Sequence, residues 1–165
     1  EEHAEKMRAL YTVSCWHARK VENALMWRSY AANNSGIMIK SDYKRIVKAL
    51  ETAENSIQTS TIKYADYDED SSIRFGNGIH PIIYKRLFFS DETEIRLIHQ
   101  VSNKMWVHDW SKEESEDGVY IKINVEHLIE EIRIAPFAPK WYLDVVISVC
   151  EKYGVSAPVL MSSLA

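Results

Sequence analysis

One stretch constrains the fold of this chain more than any other: Phe89-Ser90-Asp91-Glu92-Thr93-Glu94-Ile95-Arg96, running on into Leu97. On an extended strand, residues two apart share a face. The spacing therefore predicts Glu92, Glu94 and Arg96 projecting together, with Ile95 and Leu97 pointing the other way into a core. Such a strand needs a sheet covered on one side. Its polar face is then either solvated or part of a site.

The chain has 165 residues and a mass of 19.1 kDa, which predicts a single domain over 1–165 with one core, stable without metals or disulfides. Apolar residues make up 46% and charged residues 27%, the balance of an ordinary globular protein. A net charge of -4 argues against broad nucleic-acid binding, which needs a basic footprint. Lys44, Arg45 and Lys48 could make a local basic patch but read as the wet side of a helix. Cys15 and Cys150 are the only cysteines. They read as small buried hydrophobes in a reducing compartment, not as a disulfide framework. No apolar run reaches the ~20 residues of a membrane span, and no signal-peptide pattern opens the chain. A cytoplasmic protein is expected.

Glu1 to Leu10 reads as a polar arm. Tyr11 to Trp16 alternates as a strand, and Glu22 to Ala32 as a short helix ended by Asn33-Asn34-Ser35-Gly36. Ile37 to Lys40 is a short strand. Ser41 is the expected N-cap of a helix whose Tyr43, Ile46, Val47, Leu50 and Ile57 predict about four turns. Thr61 to Tyr67 reads as a strand, and Asp68-Glu69-Asp70 and Gly76-Asn77-Gly78 bracket a loop. A short helix near Pro81 to Leu87 leads into the Glu-Glu-Arg strand. Ser111 to Gly118 reads as an acidic surface loop. Val119 to Val125 alternates as a strand, Glu126 to Glu131 is a helical turn, and Ile132 to Ile134 a brief strand. After Pro136 and Pro139 comes a helix from Lys140 to Lys152, with Trp141, Val145 and Val149 inward and Gly154 as its stop. Val155 to Met161 supplies an edge strand. Without βαβ periodicity, this order predicts an α+β fold: several short helices on a mostly antiparallel sheet.

Metal chemistry finds little support in the residues. His3, His17, His80, His99, His108 and His127 show no HxxxH or HxH spacing, and neither cysteine is paired with a nearby cysteine or histidine in a zinc pattern. Phosphate-cradling glycine loops and a GxSxG elbow are also absent. The aromatic residues are more suggestive. Trp16 closes the first strand, and Trp27 and Tyr30 lie three apart on the following helix. Such rings can stack a flat ligand, or they can simply pack the helix onto the sheet.

These segments together resemble a bacterial and phage family, the domain of unknown function numbered twenty-nine seventy-one. The resemblance is carried by Ser14-Cys15-Trp16, by Met26-Trp27-Arg28-Ser29-Tyr30-Ala31 followed by Gly36-Ile37-Met38-Ile39, by Phe89 to Arg96, and by Ile129-Glu130-Glu131-Ile132-Arg133-Ile134-Ala135-Pro136. It spans about residues 11–140. The family's N-terminal tyrosine-arginine strand and N-D-P-F-like turn have no match, so the chain is expected to be the larger C-terminal part of a longer domain.

A second resemblance concerns activity. Glu92-Thr93-Glu94 is similar to the E-x-E of arginine-type ADP-ribosyltransferases, and Thr59-Ser60-Thr61 to their S-T-S. That likeness implies an ADP-ribosyltransferase-like fold and NAD as substrate, in a bacterial toxin or phage-defence context. Glu94 would hold the ribose and its developing charge, and Glu92 would orient or deprotonate an acceptor. Trp27 or Tyr30, with Trp16 nearby, would stack the nicotinamide, and Arg96, Lys85 or Arg86 would meet the pyrophosphate. Two other readings stand beside it. One is a non-catalytic interaction or regulatory domain that contacts a protein partner. The other is a metal-dependent nuclease built on Asp66 with Glu94-Ile95-Arg96.

Overall fold

A computed structural model of the chain describes residues 10–31, 35–69, 79–101 and 118–164, with backbone alone at 80 and 81. The expected N-terminal arm before Leu10, the Asn33-Asn34 turn, the loop around Gly76-Asn77-Gly78 and the acidic loop before Gly118 lie outside the described residues. The structure is α+β, as expected, and most strand pairs are antiparallel. The chain divides into two compact units, one of residues 1–19 and 55–121, the other of 20–54 and 122–165. Among the described residues, the strands form two three-stranded sheets and a two-stranded one where a single sheet was expected.

In the first unit, β1 (Tyr11–His17) and β3 (Ile57–Thr61) flank the central β6 (Glu94–Gln100), both antiparallel to it. A separate parallel pair joins β4 (Lys63–Ala65) to β5 (Tyr84–Arg86). The expected single strand from Thr61 to Tyr67 is therefore broken. Ile62 turns the chain, its N–H donating to Glu94 O at 2.9 Å, and β4 pairs elsewhere. The short helix α3 (His80–Ile83) precedes β5, and a 3-10 helix over Leu87–Glu92 follows it. Leu10, expected in a polar arm, is buried, and its carbonyl accepts from Val101 N at 2.9 Å.

The second unit places β7 (Glu131–Ile134) between an antiparallel β2 (Ile37–Lys40) and a parallel β8 (Val159–Met161). Ile132 and Ile134 bury one face of β7. Helix α1 (Ala24–Tyr30) is capped by Asn23, whose side chain accepts from Leu25 N. Its last turn lies so close to the start of β2 that a Cβ on Gly36 would sit 2.3 Å from Ala31 Cβ. Only glycine fits there.

Helix α2 (Tyr43–Leu50) has two turns, not four, and Ile57 belongs to β3. Its cap is Asp42, not Ser41: the Asp42 carboxylate accepts from Arg45 N at 2.9 Å. Ser41 Oγ instead donates to Leu128 O at 2.6 Å. Arg45, expected on a wet helix face, reaches the carbonyls of His127 and Ile129 at 3.4 and 3.3 Å. These belong to the short α4 (Val125–Leu128) and its C-cap. The expected strand Val119–Val125 is absent, because Asn124 caps α4 and spends its N–H on Ala49 O.

Helix α5 (Lys140–Lys152) has the expected bounds but the opposite orientation. Cys150 and Val146 pack on Ile129 and Ile132, whereas Trp141, Val145 and Val149 face outward. Leu143, Val146, Ile147 and Cys150 also fall at helical spacing; Cys150 is buried and the other three are half-buried. The helix stops at Gly154, which has φ +68. No helix among the described residues is long and apolar enough to cross a membrane.

Candidate functional site

Glu94 opens β6, and it is the buried residue of its stretch. Only 5% of it is exposed, and Ile98 on the same face is buried too, whereas Ile95 and Leu97 are half-buried. The expected inside and outside of this strand are thus reversed. A buried carboxylate is tolerated only when it is paired and hydrogen-bonded. Here it is both. Arg96 grips it with Nε on Oε1 at 2.6 Å and NH2 on Oε2 at 3.3 Å. Lys85 Nζ reaches Oε2 at 3.2 Å. The Glu94 N–H donates to Tyr64 Oη at 2.8 Å.

Glu92 does not lie on the strand. It ends the 3-10 helix, and Thr93 follows with a left-handed φ of 42°. That conformation costs a β-branched residue about 1–2 kcal/mol and persists only where neighbours enforce it. The neighbours are consecutive residues at the end of β1 and just beyond. His17 Nδ1 bonds Glu92 O, Ala18 N donates to Thr93 O at 3.0 Å, and Arg19 NH2 donates to Asp91 O at 3.0 Å. The bend returns the Glu92 carboxylate to Lys85, which therefore bridges both glutamates. Lys85 also lies 4.8 Å over the Phe89 ring.

β1 completes the cluster. In register, Cys15 faces Arg96 and His17 faces Glu94, while Trp16 pairs with Ile95 on the other side of the sheet. Cys15 is exposed as a residue, against the expectation of a buried thiol, yet its sulfur feels the charges of Glu94 and Arg96. Burial of the sulfur pushes its pKa up, and the Glu94 carboxylate pushes it further. Burial also opposes ionisation of Glu94. The bonds from Arg96, Cys15 and Lys85 outweigh it and hold the Glu94 pKa at about 2. His17 Nε2 is buried without a hydrogen-bond partner.

Four residues singled out from the sequence, Glu92, Glu94, Arg96 and Lys85, are thus brought together. Arg86 is not among them; it lies 5.5 Å over the Tyr67 ring. Trp16 lies on the opposite sheet face and donates to Ser14 Oγ at 3.2 Å. Trp27 and Tyr30 belong to the second unit and form no stacking pair. Trp27 is buried, with its indole N–H on Glu22 Oε2 at 3.0 Å, and Tyr30 is 76% exposed. Asp66 closes a turn, accepting from Asp68 N at 3.1 Å. Among the described residues no three His, Cys, Asp or Glu side chains are grouped to hold a metal ion.

Cys15, His17 and Tyr64 went unnoticed in the sequence. Only the i, i+2 spacing of Cys15 and His17 on a strand offers a signal, and it gains meaning only once β6 is known to be the neighbour. A second buried carboxylate was missed as well. Glu22 accepts from Arg133 at 2.5 Å, from Trp27, from Ser162 Oγ, and from Ser163 N and Oγ at 2.8 and 2.7 Å. Burial again opposes its charge, and the two serines and Trp27 overcome it, holding its pKa at about 2.

Residues 26–97 match the model of the family described as protein of unknown function (DUF2971). The family resemblance drawn from the sequence holds over that stretch, which includes Met26-Trp27 and the whole Glu92–Arg96 motif. No curated protein matches the chain. No solved structure matches it either, so the ADP-ribosyltransferase likeness gains no support from a shared fold.

Proposed function

We propose that the Glu94 cluster is the active centre of an ADP-ribosyltransferase-like enzyme acting on NAD. The observation that carries this reading is the gathering of Glu92, Glu94, Lys85 and Arg96 into one hydrogen-bonded group at the head of β6. Ser60, in the middle of the Thr59–Thr61 segment, pairs in register with Arg96, so the two short motifs lie side by side.

The chemistry is as follows. The bond between nicotinamide nitrogen and ribose C1′ breaks, and nicotinamide leaves as a neutral molecule with the electron pair. Positive charge builds on the ribose, where an ionised carboxylate stabilises it. Glu94 is ionised across the physiological range. The acceptor's nucleophilic atom then bonds to C1′ and its proton passes to Glu92. Lys85 and Arg96 are engaged with the two carboxylates, so a diphosphate would compete for them. Drawing Lys85 onto the phosphates would free Glu92 for the acceptor.

The test is NAD-dependent thermal stabilisation, followed by nicotinamide release. The wild-type chain should be stabilised by NAD and release nicotinamide. Glu94→Gln, checked for native circular dichroism, should lose release by about 100-fold or more. No stabilisation by NAD, or equal release by the folded variant, overturns the reading.

A further inference from the structure

The outward face of α5 is apolar and exposed. Trp141, Val145 and Val149 are 61%, 48% and 49% exposed, and Tyr153 just beyond the helix is 72% exposed. They fall at successive spacings of four, so they form one ridge along the helix. An apolar ridge of this kind on a surface marks an interaction site.

The neighbouring ridge says what the ridge fits. It is Asp144, Ser148, Lys152, also at spacings of four and also exposed. Asp144 makes no ion pair among the described residues, and Lys152 meets only the Tyr153 ring, at 5.7 Å. Opposite charges stand one turn to either side of a small residue. A second α5, antiparallel and related by a two-fold axis through Ser148, would set Asp144 of each copy against Lys152 of the other. The small serine permits close approach at the crossing, and Val145 and Val149 pack beside it. Two-fold contacts are self-complementary in this way.

We propose that the exposed face of α5 binds a second copy of this chain, antiparallel, centred on Ser148 and closed by two symmetric Asp144–Lys152 pairs. This does not depend on the NAD reading, since the helix lies in the second unit and the Glu94 cluster in the first. A helix of 13 residues is about 20 Å long, so its face buries less than the ~800 Å² per partner of a standard interface. Weak, concentration-dependent association is expected.

Sedimentation equilibrium of the full chain from about 1 to 200 μM reads it directly. The wild type should pass from monomer to dimer across that range. Asp144→Lys or Lys152→Asp alone replaces two attractions by two repulsions and should weaken the dimer by about tenfold or more. The double variant Asp144→Lys with Lys152→Asp restores the pairs with reversed sign and should regain wild-type association. Val149→Asp should leave a folded monomer. A wild type that stays monomeric throughout, or single charge reversals that leave the dimer intact, overturns the proposal. So does a double variant as weak as either single one.

Discussion

At the scale of single residues, the burial of Glu94 is the finding with the most consequences. A carboxylate on a strand that reads as polar is expected to face water, where an ion pair contributes ~0–1 kcal/mol. Glu94 instead faces inward and holds its charge only because Arg96, Lys85 and the Cys15 sulfur converge on it. The Cys15 thiol reports on that contact. Its pKa is raised, first by burial of the sulfur and then by Glu94, so it is a weak nucleophile at neutral pH. Removing the Glu94 charge lifts the second of these effects. Glu94→Gln is therefore expected to speed iodoacetamide labelling of Cys15 at pH 7.5 severalfold, measured by mass spectrometry. Cys150 is buried and stays silent in the folded protein. An unchanged rate would remove Glu94 from the surroundings of the sulfur.

Single elements show how a correct boundary can carry a wrong orientation. α5 has the bounds that Pro139 and Gly154 predict, yet it buries Val146 and Cys150 and not Trp141, Val145 and Val149. Both stripes have helical spacing. The choice was made by Ile129 and Ile132, which lie in another part of the sequence. The segment Glu22 to Tyr30 gives a second case. Its helix is legible, but the purpose of Glu22 ahead of it is not, because its partners Arg133, Ser162 and Ser163 are more than a hundred residues away. Removing Glu22 leaves the partly buried Arg133 guanidinium with one carboxylate fewer and frees the residues after β8. Glu22→Ala is expected to destabilise the chain by about 3 kcal/mol in urea unfolding, and Glu22→Gln by less. A cost below about 0.5 kcal/mol, the range of an ordinary surface change, would show the cluster to be of no structural weight.

For the whole molecule, each of the two units carries one glutamate whose side chain is covered and whose pKa is held at about 2, against an ordinary value of 4.5. A depressed carboxylate stabilises the fold above its unfolded pKa, and that contribution disappears as pH falls through the folded one. Each glutamate therefore contributes on the order of 3 kcal/mol, present in full at pH 5 and above and lost between about pH 4.5 and 2. Thermal melts should show Tm falling steeply only in that acid window. In Glu22→Gln the fall should be shallower. A Tm independent of pH down to 2 would mean that neither carboxylate is held as described.

The sequence by itself determined the α+β class, most strands and helix starts, the family resemblance over residues 26–97 and the gathering of charge in the Glu92–Arg96 stretch. These are local properties, set by alternation, capping residues and turn formers within a few positions of each other. Tertiary structure alone decided which side of each element is covered. It put Glu94 and Ile98 inward, reversed α5, broke the segment after Thr61 by pairing β4 with β5, and bent Thr93 so that Glu92 meets Lys85. Burial belongs to pairs of elements, and where two faces of a strand or helix are each partly apolar, the one that faces a neighbour is chosen by the neighbour. Cys15 and Arg96 are 81 residues apart, and only the β1–β6 register makes them one site.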